Sequence, residues 1–254
     1  MNKTKSQTVI ITGASKRIGR EIAIGLARAG WNIALHFNHS AEDANNLGNE
    51  IKAMGAQYTL IQANLEKAHE VESIIRSATD RFGSIDALIN NASLFERDTA
   101  TTFTTESWDA HLNVNLRAPA LLMRDFAQQA KPGANIINII DQRVWRLTPD
   151  FTSYTVSKAG LWALTQTYAQ ALAPQQIRVN AIGPGPTLPN PRQTQENFDL
   201  QASLVPLTHG ATPEDIMNGV SYILNARAMT GQMIALDGGQ HLAWQTPDVT
   251  EVKE

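Results

Sequence analysis

The sequence predicts a doubly wound α/β fold, in which one parallel β-sheet is covered by helices on both faces. Short β-branched runs recur along the chain, and each is followed by a longer stretch with helical spacing. The runs are continuously apolar, which is typical of parallel strands that are buried on both sides. Right-handed crossovers between such strands then place the helices on the two faces of a single sheet.

The elements follow one another in regular alternation. Each run of four to six residues is too short for a helix, whereas each stretch between runs has room for three or more helical turns. The predicted strands are Thr8–Thr12, Asn32–Phe37, Tyr58–Gln62, Ala87–Asn90, Asn135–Ile140, Ile177–Ile182 and Met233–Leu236, and the predicted helices lie near 19–29, 41–54, 66–82, 105–130, 153–172 and 212–225.

The chain is expected to form one domain over residues 1–254, because no Pro/Gly-rich linker or shift in composition divides it. One long irregular stretch, about 183–211, contains five of the eleven prolines. A loop of that length inside a compact domain is typically functional, and we predict that it covers the substrate. The last ten residues, about 245–254, are expected to be a polar tail or a partner contact.

Composition excludes several classes of function. With 43% hydrophobic and 18% charged residues the chain is typical of globular proteins, and its net charge of −3 gives no reason to expect nucleic acid or an anionic membrane as a partner. The absence of cysteine excludes disulfides, thiolate catalysis and zinc–cysteine sites. The six histidines lack His-Glu-x-x-His spacing, so no metal site is expected.

We expect no targeting signal at the N-terminus. A polar stretch from Met1 to Gln7 leads into the short apolar run Val9–Ile11, without the longer apolar segment and small-residue cleavage site of a signal peptide. No window approaches the roughly 20 apolar residues that span a bilayer. We therefore expect a soluble, cytoplasmic protein.

A glycine-containing turn follows the first strand. It reads Thr12-Gly13-Ala14-Ser15-Lys16-Arg17-Ile18-Gly19, and a helix begins at once. Glycine lets backbone approach a pyrophosphate closely, and the helix N-terminus supplies free N–H groups and the positive end of its dipole. The turn therefore predicts a Rossmann-like dinucleotide site, with contacts from Gly13, Ser15, Arg17, Ile18 and Gly19.

The end of the second strand indicates which dinucleotide binds. Asn38-His39-Ser40 stand where an NAD-preferring site carries an acidic residue for the ribose hydroxyls, and no acidic residue occurs before Glu42. Donors here, together with Arg17, suit a 2′-phosphate that a carboxylate would repel. NADPH is the predicted cofactor. The alternative is that Lys16 and Arg17 only solvate a loop and that His39 caps the next helix.

Tyr154 and Lys158 are the candidate catalytic pair. Their i,i+4 spacing at the start of a predicted helix places the phenol and the ammonium on one face. A lysine cation favours tyrosinate and brings the phenol pKa, about 10 in the free residue, closer to neutrality. The alternative is a surface tyrosine and lysine one turn apart, which is a common arrangement.

Further motifs complete the pattern of a known family. Asn90-Asn91-Ala92-Ser93 ends the fourth strand, Asn115 lies in a predicted helix, Gly183-Pro184-Gly185 follows the sixth strand, and Leu236-Asp237-Gly238-Gly239 ends the seventh. With the glycine turn and the Tyr-x-x-x-Lys pair, the chain resembles the short-chain dehydrogenase/reductase family over nearly its whole length.

The resemblance implies a role for individual residues. Tyr154 would exchange a proton with the substrate, Lys158 would hold the nicotinamide ribose and lower the phenol pKa, and Asn115 would support a water relay. It also implies a homo-oligomer, which we expect to be a tetramer. Further cofactor contacts are implied for Asn64, Leu65, Asn91, Ala92, Ser93, Pro184, Gly185 and Thr187.

Three departures from the usual family pattern resemble its pteridine reductase branch, which includes dihydromonapterin reductase-like enzymes. Arg17 and Ser93 each stand where most members have glycine, and Asp141 replaces a serine 13 residues before the tyrosine. That branch carries a Lys-Arg-aliphatic-Gly turn, a Ser-x-Phe segment and an Asp-Tyr-Lys catalytic set. Asn64 replaces the acidic residue commonly found beside adenine.

Asp141 suits the reduction of a ring C=N bond, which adds hydride to carbon and a proton to nitrogen. A carboxylate beside Tyr154 raises the phenol pKa, offsets Lys158 and lets the pair share a proton as the acid. Ser93, Phe95 and Trp145 are predicted to contact the substrate as well, with Phe95 stacked on a flat pterin. The alternatives are that Phe95 anchors a loop, that Trp145 is structural and that Asp141 only bonds to backbone.

Two other functions compete with pterin reduction. One is a carbonyl reductase of the same family acting on an acyl carrier, a sugar or a steroid, which serine at position 141 would have favoured. The other is a non-catalytic NADPH sensor, which would have no need of the proton donor that Tyr154, Lys158 and Asn115 provide.

Overall fold

Seven strands make up the sheet. The structure, a computed structural model, describes residues 6–250. The strands are β1 (Thr8–Ile11), β2 (Asn32–Phe37), β3 (Tyr58–Gln62), β4 (Ala87–Asn90), β5 (Asn135–Ile139), β6 (Arg178–Pro184) and β7 (Met233–Leu236). All neighbouring strands are parallel, in the order β3-β2-β1-β4-β5-β6-β7. The predicted doubly wound α/β fold is confirmed.

The helices cover both faces of this sheet. They are α1 (Arg17–Arg28), α2 (Ala41–Ala53), α3 (Ala68–Phe82), α4 (Thr105–Leu112), α5 (Ala118–Gln129), α6 (Thr152–Leu172), α7 (Gln195–Ser203), α8 (Pro213–Asn225) and α9 (Pro247–Thr250). One apolar cluster contains buried residues of α3, α5 and α6, and a second contains those of α1, α2 and α8. Residues of the strands contribute to both clusters, because successive side chains of a strand point to opposite faces of the sheet. In β1, Ile10 belongs to the first cluster, whereas Val9 and Ile11 belong to the second.

The strand order places a crevice between β1 and β4. From β1 the chain winds outward through β2 and β3, and then crosses back to β4 on the other side of β1. The loops that leave β1 and β4 therefore diverge, and ligands of such sheets bind in the resulting crevice at the carboxyl ends of the strands.

The helix predicted over 105–130 is interrupted. A π-helical turn, Asn113–Arg117, separates α4 from α5 and places Asn115 in a fully buried position. Apolar spacing continues through the interruption, so periodicity alone predicted one continuous helix. Such turns often occur at functional sites.

The prediction of an irregular stretch over 183–211 was partly wrong. β6 continues through Pro184, and α7 forms within the loop, where Thr194 accepts a hydrogen bond from the Asn197 N–H at 3.3 Å. No residue of α7 is buried. The helix therefore lacks the apolar face that would have revealed it in the sequence.

The two ends of the chain are described in part. The predicted polar tail, about 245–254, contains the short helix α9, and residues 251–254 lie outside the described residues, as do residues 1–5 of the N-terminal stretch. Over residues 6–250 no helix is long and apolar enough to cross a bilayer. The same range brings together no group of three or more potential metal ligands.

Candidate active site

A cavity of about 610 Å³ opens at the carboxyl ends of the central strands. It lies between the β1–α1 turn, the segments after β4 and β5, the first turns of α6 and the loop after β6, and its size is typical of a small-molecule site. Predicted site residues that line it are Gly13, Arg17, Ile18, Gly19, Asn91, Ala92, Ser93, Phe95, Asp141, Tyr154, Lys158, Pro184, Gly185 and Thr187.

The other predicted site residues lie outside this lining. Ser15 is buried within the same turn. Asn38, His39 and Ser40 follow β2, and Asn64 and Leu65 follow β3, so both segments stand at the same edge of the sheet as the cavity. The turn contacts β2 directly, because the Ala14 N–H donates to the His36 carbonyl at 3.0 Å.

A buried histidine that the sequence analysis missed holds the glycine turn. The Gly13 N–H donates to His36 Nδ1 at 3.1 Å, so His36 Nε2 carries the proton and donates to the Ala63 carbonyl at 3.0 Å. Burial lowers the pKa of His36 to about 4, which keeps the ring neutral as this arrangement requires. Asn91 holds the other side of the turn, donating to the Thr12 and Gly13 carbonyls at 2.9 and 3.1 Å.

Arg17 adopts a backbone conformation that favours glycine. Its φ of +56° lies in the left-handed region, which costs a residue with a side chain roughly 1–2 kcal/mol. This explains why glycine is usual at the position. The guanidinium crosses the cavity and donates to the carbonyls of Leu188 and Pro189 at 3.3 and 2.8 Å.

Tyr154, Asp141 and Lys158 meet on the inner wall of the cavity. The Tyr154 hydroxyl donates to Asp141 Oδ2 at 2.9 Å, and Asp141 Oδ1 accepts from the Arg143 N–H at 2.7 Å. Lys158 is 2% exposed and its Nζ donates to the Ile139 carbonyl at 2.9 Å. The carboxylate therefore contacts the phenol directly, whereas the ammonium is held by backbone.

Burial determines the protonation of these three groups. It raises the pKa of Tyr154 well above its usual value, and the adjacent Asp141 raises that pKa further. Burial also raises the pKa of Asp141, against the opposing effect of hydrogen bonds from Arg143 and Tyr154. It lowers the pKa of Lys158 to about 8. The Tyr154 pKa thus moves in the direction that Asp141 imposes, and the phenol keeps its proton at neutral pH.

Two residues that the sequence analysis missed place Tyr154. Phe151 precedes α6 in a left-handed conformation, with φ of +64°, and its N–H donates to the Asp98 carbonyl at 2.7 Å. The Asp98 carboxylate accepts from the Ser153 N–H at 3.1 Å and so caps α6 from 55 residues away. No local sequence signal reveals such a distant cap.

Phe95 packs against the same region. Its ring stacks on Phe151, with centroids 4.5 Å apart and planes 9° from parallel, and it meets the Tyr154 ring edge-on at 4.6 Å. The Arg192 guanidinium lies over the Phe95 ring, 6.0 Å from its centroid. Phe151 covers one face of Phe95, so the predicted stacking on substrate is possible only on the other face.

Asn115 and Trp145 lie away from the cavity. Asn115 Oδ1 accepts from the Leu94 N–H at 2.8 Å, and its Nδ2 donates to the Leu94 carbonyl and Ser157 Oγ at 2.9 and 3.0 Å. Asn115 therefore ties the segment after β4 to α6. Trp145 is 45% exposed and packs edge-on against Trp162.

A parallel sheet with a glycine turn at its crevice and a buried tyrosine and lysine beside it is the arrangement of dinucleotide-dependent oxidoreductases. A profile of the family described as Enoyl-(Acyl carrier protein) reductase matches residues 13–241. The 3-oxoacyl-(acyl-carrier-protein) reductase FabG of Staphylococcus epidermidis is 32% identical over 244 residues, which cover 93% of this chain and all of the relative. The chain belongs to the short-chain dehydrogenase/reductase family.

Solved structures add a more similar relative. FolM alternative dihydrofolate reductase 1 from Brucella canis, complexed with NADP, has a TM-score of 0.93 and 44% identity, covering 97% of this chain and 98% of that one. A short-chain dehydrogenase from Burkholderia cenocepacia, also with NADP, has a TM-score of 0.89 and 29% identity, covering 95% and 100%. The predicted cofactor agrees with the nucleotide in both structures.

Proposed function

We propose that this chain is an NADPH-dependent reductase that acts on the ring C=N bond of a pterin or a dihydrofolate-type substrate. The observation that carries the proposal is the 2.9 Å hydrogen bond from the Tyr154 hydroxyl to Asp141. The FolM relative, whose name includes dihydrofolate reductase, is 44% identical, compared with 32% for the FabG relative. This difference in similarity supports the same substrate class.

The residues of the cavity fit NADPH. Lys16, Arg17 and Lys158 place positive charge along its lining, and the N-terminus of α1 supplies N–H groups without intrahelical partners. These donors suit the phosphates, and Lys158 suits the nicotinamide ribose. When bound, the nicotinamide supplies a hydride.

The Tyr154–Asp141 pair supplies the proton in this proposal. Burial and the adjacent Asp141 raise the pKa of Tyr154, so the phenol keeps its proton until it transfers it to the substrate nitrogen. The transfer leaves a negative charge on the pair. Lys158, on the next turn of α6, lies with Nζ 5.7 Å from the Tyr154 ring centroid and offsets that charge.

A carbonyl reductase is the second candidate. The FabG relative favours it, because its name is that of a 3-oxoacyl-carrier reductase, which acts on a ketone. Reduction of a ketone also needs a hydride and a proton, which the same tyrosine can donate.

One assay separates the two candidates. NADPH absorbance is followed with dihydrobiopterin, dihydromonapterin, dihydrofolate and a panel of simple ketones. We expect oxidation of NADPH with at least one pterin or dihydrofolate. Consumption with ketones alone would replace the proposal by the carbonyl alternative.

The proposal includes a cytoplasmic location and a homotetramer. Exposed apolar side chains near the C-terminal end, Leu242 at 63% and Trp244 at 62%, support association with further copies of the chain.

Arg17 is expected to determine the preference for NADPH. In Arg17→Ala the ratio of KM for NADH to KM for NADPH should fall about tenfold, because a charge-assisted hydrogen bond to the 2′-phosphate contributes about 1.5–3 kcal/mol. Steady-state kinetics with both nucleotides measures the ratio. The matched control is Arg20→Ala, which removes an arginine of the same helix that pairs with Glu50. An unchanged ratio in Arg17→Ala would exclude Arg17 from phosphate recognition.

A further inference from the structure

We propose that Arg192, in the loop between β6 and α7, is a positioning residue for the reaction: it couples closure of that loop to the placement of Tyr154, through Phe95. The inference rests on the proposed role of Tyr154 as proton donor. Arg192 contacts Phe95, and Phe95 contacts Tyr154, so residues of three separate segments are linked.

The segment Leu94–Glu96, after β4, is held at three points. The buried Asn115 holds Leu94, and the buried His111 accepts from the Glu96 N–H through Nε2 at 3.1 Å. The third point is Arg192, which donates through Nη2 to the Phe95 carbonyl at 2.6 Å and pairs through Nη1 with the Glu96 carboxylate. Of the three residues that hold this segment, only Arg192 belongs to the loop between β6 and α7.

The Arg192–Glu96 pair is suited to breaking and re-forming. The two side chains are 44% and 55% exposed, and an ion pair at such exposure contributes little to stability. Both partners can regain water when the loop moves away. The contact therefore depends on the position of the loop.

Phe95 extends this contact to the proton donor. Its ring lies between Phe151 and Tyr154, with centroid distances of 4.5 and 4.6 Å. A shift of Phe95 would admit water to Tyr154, and burial is the main cause of that residue's raised pKa. The titratable and charged groups that face the phenol are Asp141, Lys158, Arg143 and His111. We propose that Arg192 acts on the phenol through Phe95 and not through a contact with any of these groups.

A second contact holds the loop independently. Arg17 donates to the Leu188 and Pro189 carbonyls from the opposite side of the cavity. Loss of Arg192 should therefore leave the loop attached by Arg17 in the protein without nucleotide, while the segment Leu94–Glu96 loses one of its three holding points. An effect of the Arg192 variant on catalysis can therefore be attributed to the position of Phe95 and not to detachment of the whole loop.

The test compares Arg192→Ala with Arg97→Ala. Arg97 directly follows the segment Leu94–Glu96, but it pairs with Asp150 and does not line the cavity. For Arg192→Ala we expect kcat to fall about tenfold, with KM for NADPH changed less than about twofold. The alkaline limb of the kcat profile should move to lower pH, because a more hydrated Tyr154 loses its proton more readily. Arg192→Lys, which keeps the pairing with Glu96, should recover part of kcat.

A double variant tests the coupling. Glu96→Gln combined with Arg192→Ala should have the kcat of Arg192→Ala alone, because both changes break one link. Additive losses would overturn the proposal, as would an unchanged kcat or a loss that leaves the alkaline limb in place.

A titration without turnover keeps the two proposals distinguishable. The Tyr154 signal of ¹³C-tyrosine-labelled protein, assigned with Tyr154→Phe, should titrate at lower pH in Arg192→Ala than in the parent. An unchanged titration overturns the role of Arg192. By contrast, absence of turnover with every substrate of the panel contradicts the proposed function.

Discussion

Replacing Tyr154 with phenylalanine is expected to lower kcat about 10²–10⁴-fold, which is the usual contribution of a positioned general acid. The change removes the hydroxyl that donates to Asp141 and leaves the ring in contact with Phe95. KM for NADPH should stay within about twofold, because Lys158 and the glycine turn are untouched. Steady-state kinetics over a range of NADPH concentrations measures both quantities.

The control for this variant is Tyr168→Phe. Tyr168 lies on the same helix, but its hydroxyl donates to the Ala120 carbonyl, away from the cavity. Its loss should leave kcat unchanged. If Tyr154→Phe retained turnover, a different group would have to supply the proton.

Asp141→Ser is expected to remove most activity toward pterins and dihydrofolate, with a loss of about 10²-fold or more. The variant loses the carboxyl that shares a proton with Tyr154. It also loses the charge that raises the Tyr154 pKa, so the phenol pKa falls. In the parent the raised pKa keeps the donor protonated into alkaline solution. As the pH rises, the residual activity of the variant should therefore begin to decline at a lower pH than the activity of the parent does.

Rates with the full substrate panel between about pH 6 and 11, a range that includes the pKa of about 10 of a free phenol, test this prediction. Asp150→Ser is the matched control, since that carboxylate is partly exposed and pairs with Arg97 at the surface. Full pterin activity in Asp141→Ser would defeat the assignment of Asp141 to the proton donor. Selective survival of ketone reduction would instead support the role of the carboxyl in C=N chemistry.

Local patterns predicted most of this fold. The apolar runs that became β1, β4, β5 and β6 are buried on both faces, so the sequence carries them as short uninterrupted stretches. Elements without such a signature were missed or misjudged. The π-helical turn around Asn115 continues the apolar spacing, and α7 buries none of its residues.

The candidate site was predictable where a motif occupies one segment. The glycine turn, the Asn-Asn-Ala-Ser segment and the Tyr-x-x-x-Lys pair all line the cavity. By contrast, Asp98, His36 and Arg192 act across separations of 55, 23 and about 97 residues, and only the folded chain brings their partners to them. The same holds for the Arg17 guanidinium, whose partners in the loop are carbonyl groups and leave no side-chain pattern to recognise.

The packing of Phe95 has a consequence for the affinity of flat ligands. Its ring is immobilised against Phe151 and Tyr154 before any ligand arrives, so a ligand that contacts the ring orders no new rotamer of this side chain. Each side chain that is spared such ordering saves about 0.5–1.5 kcal/mol of unfavourable entropy on association. Gains of this kind appear mainly as longer residence times of the bound molecule.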